Sequence, residues 1–150
     1  MKTSLEQIKK LRLETKAGVL DCRQALKDSG NDFKKAKEWL RKKGMAVVAK
    51  KKNRAAKAGI VDAYVHAGGQ VGVLVKLTCE TDFVSQTKEF KNLAHELAMQ
   101  VAAMNPKKIS ELLEQDYIRD PKKKVKDLVN QVIAKVAENV KIEAISRFKI

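Results

Sequence analysis

The sequence predicts an α+β protein: a three-helix module over residues 1–44, a basic helical linker over 45–59 and an α+β core over 60–150. Three observations predict it. Apolar residues recur at three- and four-residue spacing through the first third. From Ile60 the spacing drops to two on either side of a glycine-rich turn. Two further helical stretches then precede a last alternating segment. Two amphipathic helices on one face of a small, mainly antiparallel three-stranded sheet would cover the apolar surface this order creates. With 150 residues and 44% hydrophobic content, the chain can build such a core.

Ser4 and Gln7 form a capping box, each side chain able to satisfy the other's backbone donor, and Leu5, Ile8 and Leu11 then fall on one face. Gly18 breaks this pattern. Asp21 to Lys27 reads as a second helix with Cys22, Ala25 and Leu26 inward. Ser29-Gly30-Asn31 is a turn, and Asn31 or Asp32 caps a third helix whose stripe is Phe33, Ala36, Trp39 and Leu40. Gly44 is its expected stop. Met45 to Ala58 is an Ala/Lys-rich helical connector.

In the core, Val61, Ala63 and Val65 alternate with Asp62, Tyr64 and His66. Ala67-Gly68-Gly69-Gln70 makes the hairpin turn. Val71, Val73, Val75, Leu77 and Cys79 share one face of the return strand, which makes Cys79 a small core residue. Ser85 to Met104 is a helix with Phe90, Leu93, Ala94, Leu97, Ala98 and Val101 inward, ended by Asn105-Pro106. Ile109 to Asp120 reads as a short helix and a loop. Pro121 opens another helix with Val125, Leu128, Val129, Val132, Ile133 and Val136 inward, ended by Asn139. Val140, Ile142, Ala144 and Phe148 alternate along a final strand.

The charge is lopsided. Of the net +14, residues 1–59 carry +12, from 18 basic and 6 acidic side chains. No acidic residue lies between Glu38 and Asp62, while Arg41, Lys42, Lys43, Lys50, Lys51, Lys52, Arg54 and Lys57 are basic. Such a face suits an acidic partner, protein or nucleic acid, or simply solvates a helix. No apolar run is long enough to span a membrane, and MKTSLEQIKK lacks the apolar stretch of a secretory signal, so a cytoplasmic setting is expected. Only Cys22 and Cys79 are present, which fits a reducing compartment.

Catalytic constellations are missing. The chain has no phosphate-binding GxxxxGK[ST] loop, no GxGxxG after a strand, no GxSxG elbow and no HExxH. His66, on the polar face of a strand, reads as a surface residue and His95 as structural, and no metal or cofactor site is expected. A binding role follows. One segment stands out: Cys79-Glu80-Thr81-Asp82-Phe83-Val84, between the hairpin and the long helix. Its plain reading is a cap by Thr81 or Asp82 with Phe83 stapling the corner. Its sharper reading is an acid and an aromatic held at a tight corner, ready to enter a partner.

The segment Leu11-Arg12-Leu13-Glu14-Thr15-Lys16-Ala17-Gly18-Val19-Leu20-Asp21-Cys22-Arg23-Gln24-Ala25-Leu26 resembles the N-terminal signature of the bacterial elongation factor Ts family. Tyr64 to Val75, followed by Cys79 to Val84, resembles that family's core hairpin and Thr-Asp-Phe motif, and the likeness continues through Phe90 to Pro106 and Val125 to Phe148. The resemblance implies a guanine-nucleotide exchange factor for elongation factor Tu. Its N-terminal module would be ubiquitin-associated-like and would grip the partner's GTPase domain through Arg12, Val19 and Leu20, with Gly18 permitting the turn. Asp82 and Phe83 would intrude near the partner's magnesium site, with Thr81 shaping the corner beside Val84. Lys16, Val19-Leu20 and Asp116 depart from residues common in the family. The short stretch from Pro106 to Leu112 leaves no room for the insertion of longer members, nor does the chain have room for their coiled coil. A core of one half is expected to pair as a homodimer, giving a 2:2 complex.

Two rivals come from other classes. An RNA or ribosome binder would use the basic stretch from Arg41 to Lys57, yet aromatic residues are only 5% and no RNA-binding motif is present, so nucleic acid is not the expected partner. An enzyme would have to use Cys22 or Cys79, and nothing near either supports it.

Overall fold

The computed structural model describes residues 3–150. The chain divides into two compact units, one up to Lys50 and one from Lys51. In the first, α1 (Leu5–Thr15), α2 (Val19–Asp28) and α3 (Phe33–Lys51) enclose a core of Ile8, Leu11, Cys22, Ala25, Leu26, Ala36 and Leu40, with Ala17, Phe33 and Trp39 packed against it. The Ser4–Gln7 capping box forms as the sequence predicts. Asp32 caps α3 by accepting the amide of Lys35. Asn31, at φ 63°, and Gly30, at φ 60°, take the left-handed turn ahead of it.

Three expectations change in this unit. Leu5 lies on the predicted face but is exposed, because the neighbouring helices do not cover the first turn of α1. α2 begins at Val19, two residues early, directly after Gly18. The third helix does not stop at Gly44 but runs through it to Lys51. A helical glycine costs only about 1 kcal/mol, and the run Met45 to Ala49 that follows propagates the helix readily.

The second unit is built on an antiparallel sheet in the order β1 (Ala58–His66), β2 (Val71–Cys79), β5 (Val140–Lys149). α4 (Asp82–Ser85) and α5 (Lys88–Met104) follow β2. α5 packs across β1 and β2 with Phe90, Leu93, Ala94, Leu97, Ala98 and Val101 buried, as predicted. α7 (Val125–Val136) lies against α5 and touches β5, burying Val125, Val129 and Ile133 while Leu128, Val132 and Val136 stay half-buried.

Strand pairing decides which residues face the helices. Directly opposed residues share a face. On β2, Val73, Val75 and Leu77 are buried, so their partners Tyr64, Asp62 and Ile60 face the helices too. The β1 valines are therefore on the open side, with Val61 and Val65 exposed. Asp62 reaches His95 of α5 at 3.4 Å, and Tyr64 stacks edge-on against the same ring. Along β5 the phase itself changes. Ile142 sits opposite Leu77 but Ala144 opposite Lys76, which leaves Glu143 as a bulge. Val140 and Ile142 point inward. Beyond the bulge Ala144 and Phe148 point outward, while Ile145 and Arg147 take the inner face. Arg147 donates from Nε and a terminal nitrogen to the Ala102 carbonyl near the end of α5, at 3.2 and 3.0 Å.

The short helix expected after Asn105 forms, and the expected loop beyond it is a small hairpin. α6 (Ile109–Glu114) leads into a small hairpin of β3 (Asp116–Tyr117) and β4 (Asp120–Lys124). Pro121 lies in β4, and the following helix starts four residues later, where Asp127 accepts the amide of Lys124 at 2.8 Å. The hairpin is pinned to α5. Buried Gln100 donates to the Asp116 carbonyl and accepts from the Ile118 amide, each at 3.0 Å. Tyr117 donates to Glu96 at 2.5 Å.

Burial and then that Glu96 bond push the Tyr117 phenol up to about 12 from an ordinary 10.0. The fold favours the protonated phenol. Its contribution to stability is therefore whole below pH 10 and is lost as pH rises toward 12. Phenolate absorbance is expected to show one late-ionising tyrosine, and Tyr117→Phe should abolish that late component.

Candidate partner-binding site

The corner between β2 and α5 presents the Thr-Asp-Phe segment. β2 ends at Cys79, whose thiol donates to the Thr81 carbonyl at 3.2 Å. Thr81 is extended (φ −128°, ψ 152°) and caps α4 by accepting the Val84 amide at 3.3 Å. Two more hydroxyls tie the turn. Ser85 donates to the Asp82 carbonyl and Thr87 to the Val84 carbonyl, both at 2.7 Å. Thr87 then caps α5 through the Phe90 amide. The helix predicted from Ser85 thus starts at Lys88 instead, and a separate turn of helix, α4, precedes it, the two parted where these hydroxyls compete for backbone partners.

Within the corner the side chains divide sharply. Val84 and Ser85 are buried and root it, so Val84 is an anchor and not a contact surface. Phe83 points out and is 82% exposed, which removes the stapling role considered from sequence. Asp82 is exposed beside it, and among the described residues no cation pairs with it. An exposed phenyl ring on a rooted turn gains nothing for the isolated fold.

One feature of the corner escaped sequence reasoning. Glu138, between α7 and β5, accepts the Thr81 hydroxyl at 2.7 Å and the amides of Glu80 and Thr81 at 3.1 Å each. Its signal in the sequence is only an acid before a strand; the partners lie 57 and 58 positions away.

The first unit offers its own apolar surface. Val19 and Leu20, opening α2, are 48% and 77% exposed, and Arg12 on α1 is exposed too. Leu13 is exposed on α1 beside Arg12, an apolar residue that periodicity did not single out. Lys16 ends α1 in the left-handed conformation at φ 58°, and Gly18 carries the chain into α2.

The basic stretch is partly neutralised. Arg41 pairs with Glu38, Lys43 with Asp21 and Arg54 with Glu80. Lys42, Lys50, Lys51, Lys52 and Lys57 have no acidic partner among the described residues.

Both cysteines are buried, and desolvation raises each thiol above its ordinary range. At Cys79 the Glu138 carboxylate adds to the shift. Among the described residues no cluster of three metal-binding side chains occurs, and no helix is long and apolar enough to cross a membrane.

A sequence model of the elongation factor Ts family matches residues 3–111 and, in a second match, 80–150. The chain belongs to the elongation factor Ts family. It is 44% identical to elongation factor Ts of Thermotoga neapolitana over 193 aligned positions, which span 100% of this chain and 98% of the relative. It is 42% identical to that of Thermotoga maritima over 193 positions (100% and 97%). It is also 42% identical to that of Thermoanaerobacter sp. strain X514 over 191 positions (97% and 94%). These are translation elongation factors, and membership places this chain among them. At least 43 of the Thermotoga neapolitana alignment's positions (193 − 150) stand opposite no residue of this chain, so this member is shortened internally. Its core retains α5, α7 and the three-stranded sheet.

Proposed function

We propose that this member of the elongation factor Ts family is the guanine-nucleotide exchange factor of elongation factor Tu, releasing GDP by disturbing the magnesium and phosphate site. The observation that carries the reading is the corner itself. Phe83 is exposed at the tip of a turn rooted by Val84, Ser85 and three hydroxyl ties, with an unpaired carboxylate, Asp82, beside it. A rigid aromatic enters a partner's packing at little entropic cost. A carboxylate beside it competes with phosphate oxygens for magnesium and repels the phosphates. Arg12, Val19 and Leu20 hold the GTPase domain, while Thr81 shapes the corner and Val84 roots it.

No covalent chemistry is needed, and the chain requires no nucleotide, metal or cofactor of its own. A factor that binds the empty GTPase better than the GDP form must weaken GDP by the same ratio. Each 1.4 kcal/mol of that preference is about tenfold in affinity. The unpaired lysines between Lys42 and Lys57 speed encounter with an acidic partner surface in the cytoplasm. The test is release of a fluorescent GDP analogue from the cognate elongation factor Tu. Addition of this chain should accelerate release in a saturable way, and an unchanged off-rate at saturation would end the proposal.

A second copy of the chain completes the shortened core, giving a homodimer and a 2:2 complex. The open face of the sheet supports this. Val65, Gly72 and Phe148 lie in one row across it, and Ala63 and Leu74 in the next. Val61, Val65, Leu74 and Phe148 are all exposed there. Two such faces packed together would bury these apolar residues in a sandwich, with Lys76, between Val61 and Ala144, left to reach its edge. Sedimentation equilibrium should give twice the chain mass, and Phe148→Asp should return it to the monomer.

A further inference from the structure

We propose that Glu138 is the positioning residue of the exchange tip, aiming Asp82 and Phe83 by clamping the backbone just ahead of them. The inference rests on the tip reading of Asp82 and Phe83 and adds a residue that neither motif nor periodicity marks.

Glu138 follows Ala137, which ends α7 in the left-handed conformation at φ 56°. That turn delivers its carboxylate to the end of β2. Both oxygens are used. One accepts the Thr81 hydroxyl at 2.7 Å; the other accepts the Glu80 and Thr81 amides at 3.1 Å each. Hydrogen bonds to an ionised acceptor are about twice as strong as neutral ones. Thr81 is therefore held on two sides, by Glu138 at its hydroxyl and amide and by Val84 donating to the same hydroxyl. The residue so held immediately precedes Asp82 and Phe83.

The clamp is reciprocal. Glu80 accepts the Asn139 amide at 2.8 Å, so each acid binds the backbone beside the other. Buried Asn139 donates its side-chain amide to the carbonyls of Lys52 and Arg54, at 3.3 and 2.7 Å, and Arg54 faces Glu80 at 3.6 Å. Three separate chain segments thus meet behind one exposed turn. These bonds also tie the ends of β2 and α7 together, but the two side chains carried beyond them, Asp82 and Phe83, add no packing to the isolated core. Rigidity matters only if the tip must meet a partner in one geometry. An error of about 1 Å in such a group costs on the order of a hundredfold in rate where geometry is limiting.

The experiment is stopped-flow release of fluorescent GDP from elongation factor Tu, titrated with the full chain and with Glu138→Ala, Glu138→Gln, Phe83→Ala and Glu138→Ala/Phe83→Ala. Glu138→Ala should lower the saturating release rate by about tenfold and change the half-saturating concentration far less, since the grip through Val19 and Leu20 is untouched. Glu138→Gln keeps one acceptor oxygen and should lose less. It also keeps the test decisive if the alanine variant folds poorly, as judged by circular dichroism. In the Phe83→Ala background, removing Glu138 should slow release less than it does in the unmodified chain, because a positioning residue acts only through what it positions and Asp82 alone then remains. Two results overturn the inference while leaving the tip reading intact. One is full-rate exchange by both Glu138 variants alongside a slow Phe83→Ala. The other is an equal loss from Glu138→Ala with and without Phe83. Full-rate exchange by the Asp82→Ala/Phe83→Ala double variant would instead overturn the tip reading, and the inference with it.

Discussion

Replacing Asp82 and Phe83 together by alanine is expected to slow GDP release from elongation factor Tu by roughly 10- to 100-fold at saturating factor, the range of an anchor residue lost from an interface. The fold should not suffer. Phe83 is 82% exposed and Asp82 is exposed, so neither contributes packing to the isolated chain. The Thr81 cap and the Ser85 and Thr87 ties use other atoms. Thermal unfolding should therefore match the unmodified protein within about 0.5 kcal/mol, as for surface substitutions generally. The pair separates two physical roles. Phe83→Ala removes a wedge, while Asp82→Asn keeps the shape and removes the charge. If the carboxylate acts on magnesium, Asp82→Asn should be most damaging when magnesium is plentiful. A double variant releasing GDP at the full rate would dispose of the tip as the agent of exchange.

Phe90→Ala is expected to lower the stability of the core by about 3–5 kcal/mol, the cost of deleting a fully buried aromatic ring. Phe90 is the largest fully buried side chain, near the start of α5, and α5 is the helix that covers β1 and β2. The ring lies three residues beyond Thr87, whose hydroxyl both ties the corner and caps α5 through the Phe90 amide. Loss of packing here should therefore loosen the corner as well as the core. Urea unfolding followed by far-ultraviolet circular dichroism gives the magnitude. A loss under about 1 kcal/mol would mean that the surrounding side chains collapse into the space left by the ring.

Helix periodicity was legible wherever one helix faced one layer. All six inward residues of α5 are buried as their spacing predicts, because a single stripe faces a single sheet. Periodicity misled where another element chose the phase. The alternation of β1 is ambiguous on its own, since Ile60 begins one set and Val61 the other. The valines of β2 settled the matter through pairing, and Asp62 and Tyr64 went to the helix side. On β5 a single bulged residue, Glu143, reversed the faces of everything after it. Glycine and proline misled in the opposite way. Gly44 sits inside α3 and Pro121 inside β4, because flanking residues and edge position tolerated them.

The sequence by itself determined the α+β class, the core residues of α5 and β2, the two family motifs and the charge asymmetry. These depend on residue type and near-neighbour spacing, which a linear chain displays directly. Tertiary structure alone decided that Phe83 faces solvent while Val84 is buried, that Val61, Val65, Leu74 and Phe148 share the outer face of the sheet, and that Glu138 grips the turn before Asp82. Each of those depends on residues brought together across a fold. A hydrogen bond spanning 57 positions leaves no periodic trace, because chain separation carries no information about which loop end a carboxylate will meet.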